Sequence, residues 1–307
     1  MSHRGTIIGT ALYCALALGC GSSRDAVWDT TPEDEGAQQN QSDEARSRRE
    51  TLIAEGQEGW AQRAEEAPLA ACIGKWEEAA EIDPSDHEHW VRLARAYYFL
   101  ADGHMRFDEA RNEEMIATFE KGIQAAERAL VALSPDFAQR MRAGTRIEEA
   151  VAALDEAAVP ALYWRSSNMG KWGIAKGFAT ILSYKDEIRA IMARCLELDA
   201  NYFHTGPHRY FGAFYAKVPA FAGGDLERSR EHFDTSLRGA PYYLGTRTLL
   251  AELYAVKSQN RALFEEQLNA VIEADPDANP EADVGPENRI EQRRATELLT
   301  RADELFE

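Results

Sequence analysis

The sequence predicts an all-α protein: an irregular solenoid of paired helices with a C-terminal capping helix. Two observations carry this. From about residue 46 onward alanine is abundant and apolar residues recur at spacings of three and four, with no strand-like alternation. The breaks between those runs include Asp83-Pro84 and Asp275-Pro276, and a proline does not continue the helix it follows. One solenoid over residues 46 to 307 accounts for a chain of this style better than two separate globules.

The start of the chain lies outside that solenoid. Met1-Ser2-His3-Arg4 precedes "GTIIGTALYCALALG", uncharged and too short to span a bilayer, so residues 1 to 19 read as a secretory signal. Leu16-Ala17-Leu18-Gly19-Cys20 resembles a bacterial lipobox, which implies cleavage before Cys20 and a diacylglycerol on its sulfur. The expectation is a protein held to the membrane through its N-terminal lipid only. It would lie on the periplasmic side of the outer membrane, since Gly21 rather than Asp follows Cys20, with the inner membrane as the alternative. Residues 20 to 45 are polar, acidic and nearly free of apolar periodicity, as a flexible tether would be. Removing residues 1 to 19 takes away Arg4 and no acid, leaving 33 basic against 52 acidic residues, a net charge of −19. That balance argues against nucleic acid and anionic headgroups as direct partners. An exported compartment permits a disulfide between Cys72 and Cys195, but both fall on helices two repeats apart, which favours buried free thiols.

The helices then follow in pairs. In "KWEEAAEIDPSDHEHWVRLARAYYFL", Ala79 precedes Pro84 by five, and Trp90, Leu93, Ala94 and Tyr97 follow at the offsets of a tetratricopeptide (TPR) helix pair. In "GGDLERSREHFDTSLRGAPYY", Ser229, Phe233, Ser236 and Pro241 occupy the second-helix positions, with Leu250, Ala251 and Tyr254 after them. Small residues let paired helices approach and large ones fill the gaps between repeats. Repeat-ending positions Pro84, Pro135, Ala200, Pro241 and Pro276 are spaced by 51, 65, 41 and 35, so only the last interval nears the usual period of about 34. Residues 287 to 306 close the array as an amphipathic helix whose apolar face is Ile290, Ala295, Leu298, Leu299, Ala302 and Phe306.

The lipobox, the acidic tether, the cryptic TPR pairs, "LYWRSSNMGKWG", "HRYFGAFYAKVPAFAGGDLERSREHFDTSL" and the late Tyr254-Ala255 helix together resemble the TatT family, the T-components of TRAP-type transporters. The resemblance spans residues 60 to 275 and is most specific over 160 to 255. It implies an all-helical, TPR-like, non-enzymatic periplasmic lipoprotein that pairs with a soluble TRAP-type solute-binding protein. It also implies self-association, a homo-oligomer around a pore or groove. The alternative is a general TPR scaffold for protein–protein interactions in the envelope.

A candidate site lies in the middle of the chain. In helical geometry Trp164, Asn168, Lys171 and Trp172 fall at i, i+4, i+7 and i+8, one face carrying an amide and an ammonium between two indoles. A dry core does not usually accept that mixture, whereas a groove wall does. The competing reading packs both indoles between repeats and lets Lys171 reach outward. Residues 159 to 220 hold eight basic and four acidic residues, net +4 in a chain of −18. If His208, Phe211, Gly212 and Tyr215 face the partner helix, Arg209, Ala213 and Lys217 form a second stripe on the concave side. An aromatic and cationic lining suits a small anionic, amphipathic organic acid or an acidic protein surface. Pairing of these cations with acids elsewhere in the chain explains them equally well.

Catalytic signatures are missing: the sequence has no HExxH, GxSxG, P-loop or CxxC. No metal or cofactor is expected. His87 and His89 face different sides of a helix start, as capping or solvated residues would, and Gly206-Pro207 breaks any helix joining His204 to His208. Gly223-Gly224-Asp225 reads as a helix connection with Asp225 as N-cap, not as a phosphate cradle.

Overall fold

A computed structural model of the chain describes residues 24–29 and 42–306, and every regular element among them is helical. The signal sequence, Cys20 and most of the expected tether lie outside the described residues. The helices are α1 (Asp43–Ala61), α2 (Glu66–Ile82), α3 (His87–Gly103), α4 (Asn112–Leu133), α5 (Pro135–Arg142), α6 (Ile147–Val151), α7 (Val159–Lys176), α8 (Phe178–Leu198), α9 (Tyr202–Lys217) and α10 (Leu226–Gly239). α11 (Gly245–Leu249) continues as a π-helical turn over Leu250–Ala255, before α12 (Arg261–Glu273), α13 (Gly285–Thr300) and the short α14 (Ala302–Leu305).

The boundaries follow local chemistry. Asp86, Ser134, Asp225 and Asn260 each accept a hydrogen bond from the backbone N–H three residues on, satisfying one of the donors a helix start leaves open. All five repeat-ending positions fall at turns or at a first helical residue, which is why a proline is tolerated there. Consecutive helices pack as α1–α2, α3–α4, α7–α8, α9–α10 and α12–α13, and α7 also lies on α4 across the two short helices. The register expected for α9 and α10 holds: a Cβ on Gly212 would sit 2.8 Å from the Phe233 ring, and Ser229 Oγ donates to Gly212 O at 2.7 Å. Ser229, Phe233 and Ser236 are fully buried. Cys72 and Cys195 are buried free thiols. Among the described residues no helix is long and apolar enough to cross a membrane.

Two features depart from the sequence reading. Residues 24–29 fall within the expected flexible tether, yet they are docked. Trp28 is buried edge-on against Phe137 with centroids 5.6 Å apart, and Arg24 makes two 2.8 Å bonds to the buried carboxylate of Glu127. One indole and one guanidinium hold this strap, and a composition average over 26 mostly polar residues conceals them. His89 is buried rather than solvated, its Nε2 lying 2.8 Å from Trp76 O.

The terminal helix also does more than cap an end. Ala295 and Leu298 of α13 are buried against α11 and α12, with Ala302 and Phe306 joining them beyond a break at Arg301 that ends the single helix expected over 287–306. Ile290, expected on the same face, lines the opposite side of α13 instead. The first turn of α13, however, returns to the beginning of the array. Glu287 accepts from Arg63, just beyond α1, at 2.9 Å and from Arg95 on α3 at 2.8 Å. Ending the chain at Pro286 should therefore lower unfolding free energy by several kcal/mol. Each large buried apolar side chain contributes about 1.5–3 kcal/mol, and Arg63, fully buried, would keep only the exposed carboxylate of Asp283 as an ionic partner, which adds to the loss. Denaturant titration checks this, and an unchanged midpoint would show that α13 does not pack.

Candidate functional site

A cavity of about 70 Å³ lies where α3, α7, α9, α11 and α13 converge. At 10–15 Å³ of such volume per water it has room for a handful of waters or a small polar group. α3 supplies Arg95, Tyr98, Phe99 and Asp102, and α13 supplies Glu287, Ile290, Glu291 and Arg294. Both sets run i, i+3, i+4, i+7, the spacing of one helical face. Their charges run in opposite order, cation first on α3 and anion first on α13, and Arg95 is bonded to Glu287. The remaining walls are Tyr163, Trp164 and Lys171 of α7, Phe203 and Arg209 of α9, and Tyr243, Gly245 and Leu249 around α11.

The carboxylates here are all engaged by cations. Lys171 Nζ lies 2.6 Å from Asp102 Oδ1 and Arg106 Nη1 lies 3.2 Å from it. Burial pushes the Asp102 carboxyl up, but Lys171, Arg106 and Arg294 outweigh it and hold the group well below the usual carboxylate range. Glu287 is likewise lowered against burial by Arg95 and Arg63, and Glu252 by Arg294, to which it is hydrogen-bonded. Arg95 is also surrounded by rings, 4.9 Å from the Trp60 centroid, 5.0 Å from Phe203 and 6.0 Å from Trp164.

Arg209 is the exception. It is 5% exposed, and among the described residues no carboxylate lies within ion-pair distance of it. Its donors go to neutral oxygens: Nη1 to His204 O at 2.9 Å, and Nη2 to Tyr163 Oη at 3.1 Å and Phe203 O at 3.2 Å. Its guanidinium stands 4.1 Å from the centroid of Tyr243. The two carbonyls belong to a left-handed turn, because Phe203, His204 and Thr205 have φ of 45°, 57° and 57° ahead of Gly206-Pro207. Such a run in non-glycine residues is costly for each residue involved. It is held by Thr205 Oγ1 at 2.9 Å from Ser236 Oγ, itself 3.2 Å from Thr246 Oγ1. At Gly206 the Tyr163 hydroxyl would lie 2.5 Å from any added Cβ, so only glycine fits beside it.

The sequence stripe divides here. Trp164, Lys171 and Arg209 reach the cavity. Asn168 faces away from it: fully buried, its Nδ2 donates to Ala94 O at 3.1 Å and Trp164 O at 2.8 Å, in the notch that Gly122 leaves on α4. Trp172 is buried in a separate apolar cluster with Phe119, Ile123, Met169 and Ile188. Lys217 is exposed at the end of α9. His204 packs on Tyr242 and Tyr243, whereas His208 pairs with His232, their Nδ1 atoms 3.0 Å apart. Sequence reasoning missed Arg95, Asp102, Phe203, Tyr243, Glu287 and Arg294. The matching i, i+3, i+4, i+7 sets on α3 and α13 show a charged face on each helix, but spacing within one helix does not say that the two faces meet.

With this geometry in place, comparison with known proteins gives one assignment. The family model for the TRAP transporter T-component (TAtT) matches residues 77–306, three quarters of the chain. The chain belongs to that family. No curated protein sequence matches it.

The histidines make the fold pH-sensitive. Burial, with Arg209 and Arg95 nearby, pushes His204 down to about 4, and burial with His208 and Arg228 does the same to His232. The unfolded chain then binds more protons than the folded one below the ordinary histidine value of about 6.5. The stability tied to neutral imidazole is present above that value and is lost as pH falls toward 4. The buried carboxylates, lowered from 4.5 or less, add their loss only at the acid end of this window. Melting temperature should fall between pH 6.5 and 4.5, and His204→Gln with His232→Gln should flatten that slope. A slope unaltered by the double variant would refute the assignment.

Proposed function

We propose that this T-component is a lipid-anchored, non-enzymatic protein on the periplasmic side of the membrane that docks a TRAP-type substrate-binding protein and holds a small amphipathic organic acid in the cavity described above. The observation that carries the ligand is Arg209, a buried cation whose partners are neutral oxygens and whose guanidinium faces a space walled by aromatic rings. An uncompensated buried charge is expensive, and an arriving carboxylate would relieve it through charge-assisted hydrogen bonds. The rings of Phe203, Trp164 and Tyr98 would take the apolar part. A cavity of this size admits the acid group and a short apolar stem, and a longer ligand would need α13 to give way. A purely scaffolding solenoid would have no need of a guanidinium held on the carbonyls of two strained residues.

Calorimetry with benzoate and with benzyl alcohol as its uncharged counterpart tests the ligand reading. Arg209→Gln should weaken benzoate by about tenfold or more, equivalent to about 1.4 kcal/mol, and leave benzyl alcohol unchanged. Equal benzoate affinity in the two proteins would remove the carboxylate from Arg209. The anchor is tested separately. Cys20→Ser should move the protein to the soluble fraction, and a variant that stays on membranes in high salt would sink that assignment.

A further inference from the structure

The hairpin between α7 and α8 carries large apolar side chains in the open. Phe178 is 65% exposed, Ile174 40% and Leu182 38%, grouped around Gly177, whose φ of 114° makes the turn. From Val159 to Lys185 there is no acidic residue in a chain of net charge −18, and Lys176 is exposed beside the apolar group; Lys185, one turn beyond it, is paired with Asp186 at 2.6 Å. Patches of this kind on a soluble body mark interaction surfaces. The docked strap shows what lies opposite. Arg24 N donates to Tyr184 Oη at 2.9 Å, so the described strap begins on α8. Tyr184 is six residues from Phe178, about 9 Å along the helix at 1.5 Å per residue. Cys20 is four residues from Arg24, within about 14 Å even at full extension.

We infer that the Ile174, Phe178 and Leu182 tip, flanked by Lys176, is the face laid on the lipid bilayer, set there by the strap that fixes where the anchor emerges. The inference rests on the lipidation of Cys20 proposed above. Apolar side chains enter the headgroup boundary and Lys176 meets anionic headgroups, a second attachment beside the lipid. Together they fix the orientation of the body and not only its tethering. The exposed cation of this hairpin has a different use from the whole-chain acidity, which alone speaks against contact with headgroups.

The test uses the full lipidated chain in phosphatidylethanolamine/phosphatidylglycerol vesicles, with an environment-sensitive label on Phe178→Cys and, as reference, on Lys257→Cys beyond α11. Cys72 and Cys195 are 1% and 0% exposed, Cys14 leaves with the signal and the Cys20 sulfur carries the lipid in the processed chain, so labelling goes to the introduced thiols. The expected result is loss of the Phe178 label's fluorescence to doxyl lipid with none at Lys257. Equal quenching at the two positions, or none at either, would overturn the inference. So would a Phe178 label shielded from iodide in detergent in a concentration-dependent way, since a second copy would then cover the tip. The mass of the mature N-terminus reads the anchor independently. A lipid-free chain whose Phe178 label still enters the vesicles refutes the anchor and keeps the surface, and one whose label does not enter them overturns both.

Discussion

Glu287 joins parts of the chain 224 residues apart, and the cavity depends on it. A solenoid of stacked pairs is held by neighbours alone and leaves its two ends separate. Here the last long helix returns to the first pair, and its carboxylate lies between the guanidiniums of Arg63 and Arg95. A buried pair of this kind is weak evidence for net stability, because desolvation offsets much of the attraction. Its value lies in position. An apolar α13 could slide along an apolar neighbour, whereas a carboxylate shared between two fixed cations has one register. That register brings the α13 face opposite the α3 face, charge against opposite charge, with the cavity between them.

The charges around this space do not cancel. Arg95, Lys171, Arg209 and Arg294 line it against Asp102, Glu287 and Glu291, an excess of one cation within an acidic protein. The other three cations are tied to a carboxylate, so the excess is felt at Arg209. The backbone beside it is bent into the left-handed region at three successive residues, each costing on the order of 1–3 kcal/mol. That strain persists only where surroundings hold it, and the Thr205, Ser236 and Thr246 hydroxyls, the missing Cβ at Gly206 and the carbonyl bonds to Arg209 do so. A fold that needed only to pack α9 on α10 could do so with a helical start.

Much of this was legible in the sequence, for a reason that individual elements show. Ser229, Phe233 and Ser236 could be placed because small and large residues at fixed offsets can interlock in only one way, and Asp225 because an N-cap is a local event. Arg209 was reachable from the α9 register. Periodicity gives a face but not its neighbour. Asn168 and Trp172 share a face with Trp164, yet α7 is wide enough in contact for one side to meet α3 and α4 while the other meets the cavity. The α13 charges were illegible for the same reason: Glu287 and Arg294 look like solvated residues until a helix 200 residues earlier is set opposite them. Trp28 escaped because a single indole leaves no period to detect.

The distribution of charge also bears on how an anion would arrive under the proposed reading. A surface dominated by carboxylates repels it, but at physiological salt that repulsion fades over about 8 Å. The interior cations are screened far less, because they are buried. The outer field would therefore slow the encounter without cancelling the attraction at Arg209. It would act more strongly on large, multiply charged anions than on a monocarboxylate with an apolar stem. The acidic exterior and the cationic cavity then work as one filter, in which selection rests on desolvating a single charge and burying the stem attached to it.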